Sequence, residues 1–330
     1  MKRIRMATGL AVTGAMLAGL LVQPDASAAA ARPTAQQPHP AAQHFSFKGK
    51  RPTFHEDNIE NIEVVVSAAD SEGHLSLVES QWTPAFSVRP HYHKYHHETF
   101  YIISGQVEWT IGGRTQVMKA GDLVHIPPNT VHSVKVIGPE NMHSLMFYQP
   151  GGYEEALAID GMLTKSQKGT KQFQDLLARV GDFNAVEGPG EPWHEPAAGQ
   201  PRKGAPVFSV HGQRATRTEE KVENIEVALS SVDSEGQISI IESYWLPGFT
   251  APPHFHKTHG EAFYIFSGKV EWTVGGETHV LGAGDAVYIP PNTTHSVRVL
   301  EKLHTLWIGT PGGLDEGSDR AGDLTLAGPR

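Results

Sequence analysis

The stretch His-Tyr-His-Lys-Tyr-His-His-Glu at residues 91–98 returns as His-Phe-His-Lys-Thr-His-Gly-Glu at residues 254–261. In each copy one residue separates two histidines, and a glutamate follows. Further along, each copy carries the phrase Ile-Pro-Pro-Asn-Thr-x-His, which ends at His132 in the first copy and at His295 in the second. All of these positions are offset by 163 residues. The chain therefore carries a set of three imidazoles and one carboxylate twice.

The repetition extends well beyond these residues. Residues 61–137 align without a gap on residues 224–300, and most of the aligned positions are identical. A period of this length is too long for a solenoid unit, so each copy is predicted to be a domain with its own core. Short runs rich in Val, Ile, Phe, Tyr and Trp are broken by Gly or Pro at the spacing of β-strands and turns. The pattern predicts an all-β fold of two tandem jelly-roll or small-barrel domains.

The N-terminal residues and the composition limit where the protein works and what it binds. Residues 1–28 combine a basic start, an apolar stretch and an Ala-Ser-Ala cleavage site, which predicts a signal peptide and a secreted, extracellular protein. The formal net charge of −9 argues against nucleic acid as a partner and against stable membrane association after cleavage. The chain has no cysteine, which excludes disulfides, thiolate metal ligands and cysteine nucleophiles.

Composition also divides the remainder of the chain. The N-terminal domain is predicted at 57–153 and the C-terminal domain at 218–313. Residues 29–56, rich in Ala, Pro and Gln, are predicted to be a flexible arm. Residues 154–217 are predicted to begin as a helix and continue as a proline-rich linker. The acidic, glycine-rich residues 314–330 are predicted to be a loose tail.

The repeated side chains suit a transition metal. Two histidines separated by one residue on a strand point to the same face, about 7 Å apart along the chain, so both rings can reach one ion. Imidazole and carboxylate suit Mn, Fe, Co, Ni, Cu or Zn, and a four-ligand octahedral set leaves positions open for substrate or O₂. The predicted ligands, one divalent metal per domain, are His91, His93, Glu98 and His132, and His254, His256, Glu261 and His295.

Several other histidines are predicted to lie outside the ligand sets. His96 and His259 match across the repeat and are either neighbours of the ligands or residues at a strand end. His97 corresponds to Gly260 and is predicted to be an exposed neighbour. His125 corresponds to Tyr288 in the second copy, a difference that could distinguish the two pockets. His143 and His304 are predicted to lie on a late strand of each domain.

Both copies resemble the cupin superfamily in two motifs. The first, H-x-H-x(3,4)-E-x(6)-G, begins at His91 and at His254 and ends at Gly105 and Gly268. The second, in outline G-D-x(3)-P-x(4)-H, ends at His132 and His295, with Pro-Asn in place of the usual glycine before the histidine. The resemblance implies a bicupin, similar above all to flavonol (quercetin) 2,3-dioxygenases, which open a flavonol with O₂ and release carbon monoxide. It implies that Glu98 and Glu261 act both as ligands and as the bases that take the 3-hydroxyl proton.

Two alternatives remain, a manganese-dependent enzyme similar to oxalate decarboxylases and a non-catalytic ligand-binding cupin. Oxalate requires a cationic clamp, for which Arg89 is a candidate, although Pro252 replaces it in the second copy. A flat phenol requires an apolar slot. Six aromatic side chains are candidates for such slots: Phe86, Phe100, Phe147, Phe249, Phe263 and Trp307. The oligomeric state stays open.

Overall fold

The computed structural model gives the positions of most of the chain. The predicted signal peptide lies outside the described residues, as do residues 29–43 of the predicted arm. The described residues are 44–56, 58–162, 171, 175, 181–186, 205–316 and 324–326.

Among the described residues, the first half of the chain folds as two antiparallel sheets, followed by a helix at Tyr153–Met162. Its elements are β1 (Phe45–Ser46), β2 (Thr53–Glu56), β3 (Ile59–Val66), β4 (Ser76–Trp82), β5 (Ser87–Tyr92), β6 (His97–Ser104), β7 (Gln106–Ile111), β8 (Arg114–Lys119), β9 (Leu123–Ile126), β10 (His132–Ile137), β11 (Met142–Gln149), α1 (Tyr153–Met162), β12 (Asn184–Ala185) and β13 (Val207–Ser209). The seven-stranded sheet has the strand order β13-β9-β6-β11-β4-β3-β2, and the five-stranded sheet has the order β12-β5-β10-β7-β8.

The second half repeats this arrangement with longer strands. Two long strands, β18 (Gly260–Val274) and β21 (His295–Thr310), run through both layers, so the nine strands of this domain and β1 from the first half are connected as one ten-stranded sheet. Its elements are β14 (Thr216–Glu219), β15 (Val222–Leu229), β16 (Ser239–Trp245), β17 (Thr250–His256), β18 (Gly260–Val274), β19 (Glu277–Leu281), β20 (Ala286–Ile289), β21 (His295–Thr310), a 3₁₀ turn (Leu314–Glu316) and β22 (Leu324–Leu326). The predicted all-β fold of two tandem jelly-roll domains is confirmed.

The inner faces of the two layers meet in an apolar core in each domain. In the first domain Phe100 and Ile102 of β6 pack with Trp109 of β7 and Val134 of β10. Alternating residues of these strands point to opposite faces, so the same strands also present apolar side chains on their outer faces. Those outer faces form a third core between the domains, where Tyr101 and Phe147 of the first domain pack with residues such as Tyr264 of the second. Phe147 therefore lies between the domains and not in a substrate slot.

The segments that precede the two domains are exchanged between them. β1 pairs with β20 of the second domain, and β13 pairs with β9 of the first. Residues 44–56 thus contain two short strands, so the expectation of a flexible arm is wrong for this part of the segment. The predicted linker and the predicted tail also contain short strands. β12 in the linker pairs with β5, which carries His91, and β22 in the tail pairs with β17, which carries His254 and His256. Such two- and three-residue strands are too short to show a hydrophobic period.

Two buried arginines fasten this exchange. Arg51 donates to Glu79 Oε2 at 2.9 Å, to Ser46 Oγ at 2.9 Å and to the carbonyl of Gly284 in the other domain. Arg214, the residue 163 positions later, repeats the pattern with Glu242, Ser209 and the carbonyl of Gly121. Burial alone would raise the pKa of Glu79, but the hydrogen bond from His143 and the charge of Lys48 lower it to about 2. Glu79 is therefore ionised, and the charges of Arg51 and Lys48 balance it.

The exchanged segments approach the turns before β9 and β20 so closely that glycine is required there. Gly121 has φ +85°, and a Cβ at this position would lie 2.8 Å from the ring of His211. Gly284 has φ +84°, and a Cβ there would collide with the side chain of Lys48. Both the left-handed backbone and the contact therefore exclude a larger residue.

No helix in the described part of the chain is long and apolar enough to cross a membrane.

We expect Arg51→Ala to lower the free energy of unfolding by about 3 kcal/mol, because it leaves the buried acids Glu63 and Glu79 without their guanidinium. Urea unfolding of the full chain measures this change. The control is Arg298→Ala, whose pair with Glu271 is largely exposed and should contribute less than about 1 kcal/mol. Equal, small losses in both variants would contradict the role assigned to Arg51.

Candidate metal centres

The first predicted ligand set is assembled by three strands of the first domain. His91 lies on β5 with His93 two residues later, Glu98 lies on β6, and His132 begins β10 directly opposite His91. Glu98 Oε1 is 3.4 Å from His93 Nε2, and Glu98 Oε2 is 2.9 Å from His132 Nε2. One donor atom from each of the four buried side chains lies within 4.8 Å of all the others. The structure thus brings together all four residues predicted in this domain.

The second set brings the four corresponding side chains together in the same way. Glu261 Oε2 lies 3.1 Å from His295 Nε2 and 3.5 Å from His256 Nε2. The rings of His254 and His295 are 4.1 Å apart, the same separation as between His91 and His132. The four donor atoms again lie within 4.8 Å of one another. All eight residues predicted as ligands therefore converge in two groups.

Backbone carbonyls orient the imidazoles of the first group toward its centre. The Nδ1 atoms of His91 and His132 lie 2.8 Å from the carbonyl oxygens of Arg89 and Thr130. A carbonyl only accepts, so each Nδ1 carries the proton and each Nε2 presents its lone pair inward. His93 Nδ1 makes the same contact with the carbonyl of Gly181, at 3.0 Å. Ligating histidines in metalloproteins are held in this way.

Charge and desolvation at the first centre match a cation site. Burial and the neighbouring His132 lower the pKa of His91 well below its usual value, so this ring is neutral. Burial would raise the pKa of Glu98, but the surrounding imidazoles, with His93 first, lower it to about 2. His93 Nε2 and Glu98 Oε2 are buried and make no hydrogen bond. Lone pairs and a negative charge directed at one point fit a divalent metal, one in each domain.

A cavity opens beside each centre, and the two cavities differ. The first has a volume of about 220 Å³ and is partly covered by Tyr153 and Leu157 of α1. Among the described residues no lysine or arginine lines it. Its walls are mostly apolar and include the aromatic side chains Trp82, Phe86, Phe100, Trp109, Tyr148 and Phe183.

The second cavity is larger, about 490 Å³, and has a cation on its wall, Arg217. Phe249, Phe263 and Trp307 line it as predicted. Arg217 was not among the predicted residues. The predicted cation, Arg89, is exposed at the surface of β5 and does not line the first cavity. The candidate clamp for oxalate is therefore absent from the described lining of the first centre.

Residues 181–186 contribute to the first centre although the sequence indicated only a linker there. Phe183 stacks on His91, with ring centroids 4.3 Å apart and an angle of 20° between the planes. Asp182 accepts a hydrogen bond from the backbone N–H of Tyr95 at 2.6 Å and lies 3.7 Å from His96 Nδ1. His96 is thus a neighbour of the ligands. These contacts join residues about ninety positions apart, and only the glycine before Asp182 marks a turn in the sequence.

The prediction that His97 is exposed is wrong. Its side chain is only 9% accessible, because β6 turns this face toward the other domain. His97 stacks against His125, and burial lowers the pKa of both rings, to about 4 and about 3. In the second copy Tyr288 takes this space, with its hydroxyl 2.6 Å from the point where a Cβ of Gly260 would lie. His143 and His304 lie on the late strands β11 and β21, as predicted.

Comparison with known proteins agrees with this architecture. Residues 80–148 and 243–309 each match the Cupin domain family. A quercetin 2,3-dioxygenase from Bacillus subtilis (strain 168) is 23% identical over 233 residues, covering 66% of this chain and 67% of that protein. A quercetin 2,3-dioxygenase from Aspergillus japonicus is 24% identical over 246 residues, covering 62% of this chain and 70% of that protein.

Solved structures give the same fold. An oxalate decarboxylase from Bacillus subtilis superposes with a TM-score of 0.57 at 21% identity, covering 83% of this chain and 78% of that one. The oxalate decarboxylase of Lactobacillus farciminis superposes with a TM-score of 0.58 at 16% identity, covering 83% and 88%. Both halves thus match the Cupin domain family and both keep the complete donor set, which indicates a bicupin, a chain with two cupin domains.

Proposed function

We propose that the protein is a metal-dependent dioxygenase that cleaves a flavonol such as quercetin with O₂. The observation that carries the proposal is the wall of the first cavity, which is apolar, rich in aromatic side chains and, among the described residues, without a lysine or arginine. A flat, uncharged polyphenol fits such a wall, whereas a small dianion requires a cation. The similarity to two quercetin 2,3-dioxygenases supports the same substrate class.

Each side chain at the first centre has a role in this proposal. His91, His93, His132 and Glu98 hold the metal, and their counterparts at 254, 256, 295 and 261 hold a second ion. The metal supplies an open coordination position and lowers the pKa of a bound phenol. Glu98, ionised and directed into the cavity, accepts the proton of the substrate 3-hydroxyl. Aromatic side chains such as Trp82 and Phe183 exclude water and orient the rings.

Trp82 gives a specific contact to the substrate. Its indole N–H is buried and has no hydrogen-bond partner among the described residues, and the side chain lines the first cavity. A buried donor without a partner is costly, so an acceptor on the ligand would satisfy it. The carbonyl and hydroxyl oxygens of a flavonol are such acceptors.

Oxalate decarboxylation is the second candidate reaction. It is favoured by Arg217, which lines the second cavity and could bind a carboxylate.

We also propose that the protein acts outside the cell, on the basis of residues 1–28 of the sequence.

Metal content tests the ligand assignment. The full chain loaded with Mn²⁺ should hold about two ions by elemental analysis, and His93→Ala or His256→Ala about one, because each variant loses a donor from one set. His55→Ala is the control, since this exposed histidine bonds the carbonyl of Glu60 far from either set, and it should keep both ions. Unchanged content in the two ligand variants would refute the assignment.

Turnover tests the reaction. The metal-loaded protein should bleach the absorption band of quercetin with uptake of O₂ and should release no CO₂ from oxalate. The double variant Glu98→Gln, Glu261→Gln should lose turnover by about 100-fold or more while keeping metal, because an amide does not accept the proton. Glu108→Gln, which changes an acid paired with Lys135 on the surface, is the control. Release of CO₂ from oxalate without loss of quercetin would favour the second candidate.

Substitution of Trp82 tests substrate orientation. Trp82→Phe keeps an aromatic ring against Phe86 but removes the N–H, so KM for quercetin should rise about threefold to tenfold, the value of one hydrogen bond. Steady-state kinetics measures KM and kcat separately. An unchanged KM would show that the indole N–H does not contact the substrate.

A further inference from the structure

The two centres share their ligands but differ in what contacts the carboxylate. We propose that Trp307 is a positioning residue that holds Glu261 in one orientation, so that the second centre retains metal but turns over substrate more slowly than the first. The expected difference in turnover rests on the proposed function, whereas the difference in geometry does not.

At the second centre the oxygens of Glu261 have separate partners. Oε2 faces the imidazoles, 3.1 Å from His295 Nε2. Oε1 faces away from that contact and accepts a hydrogen bond from Trp307 Nε1 at 2.9 Å. The side chain of Glu261 is buried, although it borders the second cavity. One oxygen is thus left for the metal, and the other is occupied.

At the first centre both oxygens of Glu98 face the imidazoles. Oε1 lies 3.4 Å from His93 Nε2, and Oε2 lies 2.9 Å from His132 Nε2. The strand position of Trp307 is taken here by Met146, because Met146 pairs with Val78 and Phe100 just as Trp307 pairs with Ile241 and Phe263. A thioether has no N–H to donate. Met146 instead accepts from Ser80 Oγ, at 3.0 Å.

The surroundings of Trp307 hold its indole in place. Trp307 is half-buried on β21, and its ring stacks on Phe263, with centroids 5.9 Å apart and planes 11° apart. The strand on each side is paired, to β16 and to β18. The donor is therefore fixed by the sheet and by stacking, and it restrains the carboxylate that it binds.

This restraint has a chemical consequence. To take a proton from a substrate hydroxyl, a ligating carboxylate must present one oxygen to that hydroxyl. Glu98 has no donor other than imidazole among the described residues, so it can present either oxygen. Glu261 would have to share or break its bond to Trp307, and that bond stabilises the carboxylate in its present position. The second centre thus keeps its donor set for metal, while the orientation of its glutamate is less free to present an oxygen to a substrate hydroxyl.

Reciprocal substitutions test this in single-centre proteins. In a His93→Ala background only the second centre is complete, and Trp307→Met or Trp307→Phe should raise turnover of quercetin about tenfold with metal content unchanged. In a His256→Ala background, Met146→Trp should lower kcat by a similar factor. Trp307→Phe keeps the stacking ring and removes only the N–H. A gain in Trp307→Met but not in Trp307→Phe would overturn the proposal, because side-chain size and not the hydrogen bond would then be the cause.

A spectroscopic measurement separates this proposal from the proposed function. The Mn²⁺ electron paramagnetic resonance spectrum of the His93→Ala protein should change with Trp307→Phe, because the carboxylate gains freedom to reorient at the ion. Trp245→Phe is the spectral control, since its N–H bonds Ser243 and not Glu261. If no phenol is turned over but the spectrum changes only with Trp307→Phe, the proposed function fails and the positioning role stands. An unchanged spectrum in Trp307→Phe overturns the positioning role.

Discussion

Each domain buries a carboxylate among three imidazoles whose lone pairs point inward. A desolvated charge is stable in a protein only when another charge or a metal compensates it. In the first domain the imidazoles donate their Nδ1 protons to backbone carbonyls, which leaves Nε2 directed at the same point as Glu98. Cation binding at this point compensates the carboxylate, so the donor set, the cavity beside it and the chemistry available there all depend on this one arrangement.

The scaffold holds this arrangement twice through an exchange of segments. The strand before each domain pairs with the other domain, and Arg51 and Arg214 connect each segment to a buried acid and to a glycine carbonyl across the interface. The duplication therefore supplies both centres and the contacts that join them. The wall of each cavity, by contrast, comes from parts that differ between the copies, such as α1 and Phe183 beside the first.

The sequence predicts the ligands better than it predicts their surroundings. His91 and His93 share a strand face by parity, and the same spacing recurs at a constant offset, so the donor sets follow from local rules. Phe183 reaches the first centre through a two-residue strand without any periodic signal. Burial of His97 depends on a face covered by the other domain, which no local pattern contains. Trp307 is predicted as an apolar wall, but its N–H bond to Glu261 becomes visible only when the strands are placed side by side.

We propose that a metal held at the first centre and the apolar, aromatic-rich wall beside it together bind a flavonol. Anomalous diffraction from crystals loaded with Mn²⁺ and soaked with quercetin without O₂ tests it most directly. We expect metal peaks at both donor sets, with quercetin between Trp82 and Phe183 in the first cavity. Metal outside the donor sets, or quercetin bound only away from the first cavity, would contradict the account.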